Sequence, residues 1–311
     1  MPTRREFLRY CASISIGLFG STSFTSAIAR GFELLKQGKL RVIWLSGLGC
    51  SGESISLFFS EDPLFLDFSR AFLDLMSHPL LSTAQGKAYE EIIAEVAAQG
   101  EFVLCFEGAV PQGMPEACRV GERTMNQVLE ELLPRAKLLI ACGTCAAFGG
   151  VSAASPETGA VSVIEFAGRK GLLKDYVRLP GCPLPPWRFM GTVAYFAATG
   201  KLPPLDEKKR PKAYYARYNH EHCQYFRFFN EDKYTLKLSE PGKCLFRFGC
   251  RGPRTYADCP LRPWNGGARW CVNAYTPCIG CAHPGFPWDP QKGIYQNPKR
   301  LQPKTVFGEE A

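Results

Sequence analysis

Between His220 and Cys281 the chain places eight side chains of the metal-binding kind: His220, Cys223, Cys244, Cys250, Cys259, Cys271 and the pair in Cys278-Ile279-Gly280-Cys281. The surrounding stretch has no clear helical or strand periodicity and is rich in Gly, Pro and aromatics, so it holds little ordinary core. Below roughly 100 residues such a composition needs a metal or a disulfide staple to fold. Disulfides suit an oxidising compartment. Zinc takes two tetrahedral sites from these residues, one of three thiolates and an imidazole and one of four thiolates, and two 4Fe–4S clusters take the same counts. Spacing alone leaves zinc and iron–sulfur level, with disulfides behind.

The amino terminus speaks to the compartment. Thr3-Arg4-Arg5-Glu6-Phe7-Leu8 precedes a mildly apolar stretch from Tyr10 to Ile28 that ends in Ala27-Ile28-Ala29. That is a charged region, an apolar region and a small-residue cleavage site, so residues 1–29 are set aside from the fold. The paired arginines resemble a twin-arginine signal, the route of proteins exported already folded. The apolar region carries too many Ser and Thr to be a good membrane anchor, and no later run of about 18 apolar residues offers a span. Localisation is expected in the periplasm or on the outer face of the cytoplasmic membrane. Without Arg4, Arg5, Arg9 and Glu6 the net charge falls from +8 to +6. The one charge run, Glu207 to Lys212, is short and lies in a Pro-rich linker, so nothing supports a nucleic-acid partner.

The first two-thirds alternate strands and helices. Strands are expected at 41–45, 101–106, 136–141 and 176–179, with helices at 84–99 and 125–133 between them. Such alternation argues for an α/β fold with a parallel sheet. Cys50, Glu107, Cys145 and Cys182 each fall just past a strand's carboxyl end, where ligands of open α/β sheets bind. The Pro-rich stretch from Lys201 to Asp206 marks a boundary, giving a domain at 30–200 and a second at 201–311.

Over nearly all the mature chain the sequence resembles the small subunit of nickel–iron hydrogenases. The matching pieces are Trp44-Leu45-x-Gly47-x-x-Cys50, Glu107-Gly108-x-x-Pro111, Gly143-Thr144-Cys145, Pro180-Gly181-Cys182-Pro183, His220 with Cys223, Gly249-Cys250-x-Gly252-Pro253, Trp264-Asn265 and Pro277-Cys278-Ile279-Gly280-Cys281. The resemblance implies a flavodoxin-like domain holding a proximal iron–sulfur cluster beside a large subunit, which carries the hydrogen-splitting nickel–iron centre. It implies an irregular second domain holding a medial and a distal cluster. By position, His220, Cys223, Cys244 and Cys250 bind a distal 4Fe–4S cluster, with His222 the rival of His220. An imidazole in place of a thiolate lowers the negative charge and raises the potential. Electrons then leave to an external acceptor, for which a membrane cytochrome is the hypothesis.

The chain departs from the family twice. Where members commonly have proline, it has Cys271. Cys259, Cys271, Cys278 and Cys281 thus supply four thiolates, and a medial 4Fe–4S cluster is expected in place of 3Fe–4S. At the proximal site the family has Cys-x-x-Cys, whereas this chain reads Cys50-Ser51-Gly52-Glu53. Cys50, Cys145 and Cys182 match, and Glu53 stands at the fourth ligand's position. Carboxylates bind iron less covalently than thiolates. A three-iron cluster, recruitment of Cys142, or water at the open iron are the alternatives. The two additional proximal cysteines of some oxygen-tolerant relatives are Gly52 and Gly150 here, so their modified 4Fe–3S cluster is not expected. Cys105 is expected in the core, Cys118 and Cys142 have no assigned role, and Glu107 is either a hydrogen-bonded loop residue or an interfacial one. Two other functions compete: an electron-transfer subunit serving a partner other than hydrogenase, and an exported zinc-stabilised binding module.

Overall fold

A computed structural model describes residues 39–288 apart from 62, 155, 236, 238–241 and 265–268. The signal segment at 1–29, the polar tail at 297–311 and Asn265 lie outside the described residues. The chain divides into two compact units, Met1–Ala213 and Tyr214–Ala311.

The first unit is built on a five-stranded parallel sheet of β1 (Leu40–Ser46), β2 (Leu73–Ser77), β3 (Phe102–Glu107), β4 (Ala136–Cys142) and β5 (Tyr176–Leu179), in the order β2-β1-β3-β4-β5. This is the flavodoxin-like order, whose topological switch lies between β1 and β3. The four expected strands are present. Helices α1 (Gly52–Phe58) and α2 (Phe65–Phe72) connect β1 to the edge strand β2. That edge strand is not legible in the sequence, because it leaves α2 at Leu73 with no turn residue between them. Every residue of β3, Phe-Val-Leu-Cys-Phe-Glu, is buried, as a central parallel strand covered on both faces requires. Cys105 belongs to this core with no measurable exposure. Ile43, Leu45, Leu104, Phe106, Leu129 and Phe166 pack in one cluster around the same sheet.

The register decides where the site falls. Ser46 pairs with Glu107, Glu107 with Cys142, and Cys142 with Leu179. The carboxyl ends of β1, β3, β4 and β5 are therefore level, and the loops that follow them leave from one edge. Cys50 lies in the loop that leaves β1, and α1 begins two residues after it. Helix α3 (Gly86–Gln99) closes at Gly100. Helix α4 (Met125–Leu132) opens on a capping box in which Thr124 Oγ1 accepts from Gln127 N–H and Gln127 Oε1 accepts from Thr124 N–H. Helices α5 (Gly143–Phe148), α6 (Val163–Arg169) and α7 (Pro186–Thr199) complete the unit, the last ending at Gly200 in the left-handed conformation.

The second unit has little regular structure among its described residues: short 3-10 turns at Asn219–His222, Phe246–Phe248 and Gly252–Arg254, and helix α8 (Phe226–Asn230). Its core gathers Tyr225, Phe229, Tyr234, Leu245, Phe246, Trp270 and Val272 around Cys244 and Cys278, with Cys223, Cys250 and Cys259 packed against them. The cysteines are thus part of the core itself.

Candidate metal centres

In the first unit, hydrogen bonds tie the loops after the strands to one another. Thr144 N–H donates to the Gly181 carbonyl at 2.9 Å, and Gly181 N–H donates to Thr144 Oγ1 at 3.0 Å, so the Cys145 and Cys182 loops are joined. A Cβ built on Gly52 would lie 3.5 Å from Pro183 Cβ and 3.0 Å from Cys50 Sγ, which puts the Cys50 loop against the Cys182 loop. A Cβ on Gly143 would collide with the Glu53 carboxyl, and Gly143 has φ +80°. Glycine is needed there twice over, for the left-handed backbone and for the space that Glu53 fills. The loops that carry Cys50, Glu53, Cys145 and Cys182 are joined in this way. Gly150 abuts Cys145 Sγ, 3.0 Å from a Cβ built on it, so both glycines at the additional-cysteine positions border the site.

Glu53 is buried, and burial first, then the charge of Glu107, pushes its carboxyl up to about 8. At neutral pH it keeps its proton unless a cation takes the proton's place. Cys142 is fully buried, with its thiol directed at the Ile140 carbonyl at 3.7 Å and its pKa driven well above the usual thiol range, chiefly by burial.

Glu107 closes β3 and is 1% exposed. Its Oε1 accepts from Ser46 Oγ at 2.5 Å, Ser54 Oγ at 2.5 Å and Trp44 Nε1 at 3.2 Å, and its Oε2 accepts from Ser54 N–H at 3.0 Å. The carboxylate thereby anchors the first turn of α1, and with it Glu53, to the sheet. Behind it lies His78, which sequence reasoning missed. Its Nδ1 accepts from Leu80 N–H at 3.1 Å, so Nε2 carries the proton towards Ser54 Oγ at 3.3 Å. Burial pulls the His78 pKa down to about 4, against the opposing charge of Glu107. No local pattern marks this histidine, because Ser54 lies 24 positions away in the chain.

In the second unit most of the ligand-type residues lie in or against one core. His220 is buried, with its ring edge-on to Phe229 at 4.5 Å and Phe226 at 5.1 Å. Burial lowers its pKa to about 4, against the charge of Glu221, so the imidazole is neutral, the form that binds metal. His222 is half-buried. A Cβ on Gly252 would lie 3.5 Å from Cys250 Sγ and 3.9 Å from His220 Cβ, which places Cys250 beside His220. Burial pushes the Cys244 thiol up to about 12 and the Cys250 thiol up to about 11, and the Cys223 sulfur adds to both rises. Cys278 is raised well above the usual range by burial and then by Cys250, Cys271, Cys281 and Cys259. Cys271 is an exposed residue whose sulfur is nonetheless shielded enough to rise to about 11, with Cys259 adding to the shift. Cys278 thus lies within electrostatic reach of Cys250, Cys259, Cys271 and Cys281, and Cys271 within reach of Cys259. No disulfide joins any two of the described cysteines.

These donor sets suit a cationic centre, an iron–sulfur cluster or zinc: buried thiols that disfavour one another's ionisation need a cation to hold them as thiolates. Among the described residues, no three His, Cys, Asp or Glu side chains close around a point tightly enough for a single metal ion.

The class of protein defined so far is a flavodoxin-like domain with a thiol-and-carboxylate site at its sheet edge, followed by a unit built around cysteines. The family pattern for the C-terminal region of the NiFe/NiFeSe hydrogenase small subunit matches residues 215–293, and that described as "NADH ubiquinone oxidoreductase, 20 Kd subunit" matches 50–196. The periplasmic [NiFeSe] hydrogenase small subunit of Desulfomicrobium baculatum is 34% identical over 307 residues, covering 92% of this chain and 96% of the relative. The uptake hydrogenase small subunit of Afipia carboxidovorans is 33% identical, covering 99% of this chain and 83% of the relative. The recombinant [NiFeSe] hydrogenase of Desulfovibrio vulgaris Hildenborough superposes with a TM-score of 0.78 at 35% identity, over 84% of this chain and 99% of that one. The chain belongs to the small-subunit family of nickel–iron hydrogenases. It is part of an oxidoreductase whose catalytic centre lies in the large subunit.

Proposed function

We propose that this chain is the electron-relay subunit of an exported nickel–iron uptake hydrogenase. The reading is supported by two observations: the loops bearing Cys50, Glu53, Cys145 and Cys182 meet at the carboxyl edge of the sheet, and the cysteines of the second unit lie in or against its core or within electrostatic reach of Cys278 and Cys250. Cys50, Glu53, Cys145 and Cys182 hold the proximal cluster. Cys259, Cys271, Cys278 and Cys281 hold a medial 4Fe–4S cluster, and His220, Cys223, Cys244 and Cys250 a distal one. Bound clusters supply one-electron redox chemistry, while the chain's residues set their burial, charge and position. The apolar side chains that follow Glu53 support docking of the large subunit beside the proximal site: Ile55, Phe58 and Phe59 are 46%, 40% and 66% exposed. The Arg4-Arg5 signal supports export by the twin-arginine route, and no helix among the described residues is long and apolar enough to cross a membrane. The acceptor is a membrane-bound cytochrome reached from the distal side.

Metal analysis and the visible spectrum of the purified complex test the reading. Iron with sulfide and broad brown absorption is expected, together with hydrogen-dependent dye reduction. Zinc in place of iron, or no hydrogen-dependent reduction, overturns it.

Two substitutions test the departures from the family. Glu53→Cys is expected to change the proximal EPR signal and lower its potential while keeping iron content, since thiolate donates more strongly than carboxylate. An unchanged signal removes Glu53 from the ligand set. Cys271→Pro is expected to convert the medial signal to that of a three-iron cluster, with loss of one iron per chain. A three-iron signal already present in the unaltered protein and unmoved by the substitution defeats the medial assignment.

A further inference from the structure

Arg251 follows Cys250 directly and is 3% exposed. Among the described residues it takes part in no ion pair, and its Nε and Nη2 are buried without a hydrogen-bond partner. Burial first, then the neighbouring cation Arg254, disfavours its charge, with Cys250 opposing. A buried guanidinium without an anion is an expensive arrangement that persists only when something compensates it.

Its surroundings show where that compensation belongs. Arg251 N–H donates to the Cys278 carbonyl at 2.7 Å. Its guanidinium lies over the Trp288 ring at 4.5 Å, and Trp288 Nε1 donates to the Ile279 carbonyl at 2.9 Å. A Cβ on Gly280 would lie 3.0 Å from Arg251 Cβ and 2.7 Å from the Trp288 ring, so glycine lets the Cys278–Cys281 loop approach this side chain. The stem is thus bracketed by the Cys250 loop on one side and the Cys278–Cys281 loop on the other.

We propose that Arg251 is the shared counter-ion of the medial and distal clusters, its charge and its two open donor nitrogens raising the reduction potential of both. The inference rests on the cluster assignment given above. Cysteine-ligated clusters are net anionic and gain negative charge on reduction, so a fixed cation beside two of them favours the reduced state of each. Arg251 is a positioning residue, since it acts on the electron carriers through charge and hydrogen bonding.

The test is an EPR-monitored redox titration of the assembled complex carrying Arg251→Met or Arg251→Lys. In Arg251→Met the medial and distal potentials are expected to fall by about tenfold or more in the reduction equilibrium, or about 59 mV for a one-electron couple. The proximal potential stays put and serves as the internal control. Arg251→Lys, which keeps the charge, is expected to recover most of the shift. Full cluster occupancy with unmoved potentials in Arg251→Met overturns the proposal. Should that variant fail to assemble, the unaltered complex labelled with 15N-arginine decides: a nitrogen coupling to a cluster signal that disappears in Arg251→Lys supports the inference, and no coupling overturns it. Absence of any cluster signal in the unaltered complex defeats the cluster assignment instead, and this inference with it.

Discussion

Replacing Glu107 with alanine is expected to lower the unfolding midpoint of the sheet unit by roughly 5–20 °C. The carboxylate takes four hydrogen bonds from Trp44, Ser46 and Ser54. The two serine hydroxyls can rotate towards other acceptors, but the Trp44 indole N–H and the Ser54 backbone N–H cannot turn away. Each buried donor left without a partner costs about 1–3 kcal/mol, so the pair costs roughly 2–6 kcal/mol. Glu107→Gln keeps one carbonyl acceptor and is expected to fall between the two. Thermal unfolding followed by tryptophan fluorescence reads the effect. An unchanged midpoint in Glu107→Ala would show that α1 is held to the sheet by other contacts.

Stripping iron is expected to have the larger effect on the second unit. Its described residues offer short turns and a five-residue helix, and its core is packed around Cys244 and Cys278. Without a cross-linking centre, Cys244, Cys250 and Cys278 become neutral thiols in a core too small to hold alone. Chelation under reducing conditions, followed by limited proteolysis, is expected to place the first cleavages after Tyr214 while the sheet unit resists longer. First cleavage within the β1–β5 sheet, with the second unit intact, would show that this unit stands without metal.

Much of the fold was legible because its signals are local. A buried parallel strand such as Phe102–Glu107 is apolar along nearly its whole length, and the helix Gly86–Gln99 is closed by Gly100, so both announce themselves within a few residues. The edge strand Leu73–Ser77 escaped because it is short, partly exposed and continuous with the helix before it. The proposed donor residues stand out in the sequence for a different reason: cysteines and a histidine at these spacings have few other uses.

The chemistry proposed for the sites rests on residue type and order: thiols, one imidazole, one carboxylate where a thiol is usual, and a fourth thiol where proline is usual. Their environment was not. That Glu53 lies against Gly143, that His78 and Ser54 stand behind Glu107, and that Arg251 is buried between two cysteine loops all depend on segments distant in the chain. Burial and hydrogen bonding are properties of the packed structure. The same carboxyl or guanidinium has ordinary chemistry in water and altered chemistry once neighbouring segments close over it.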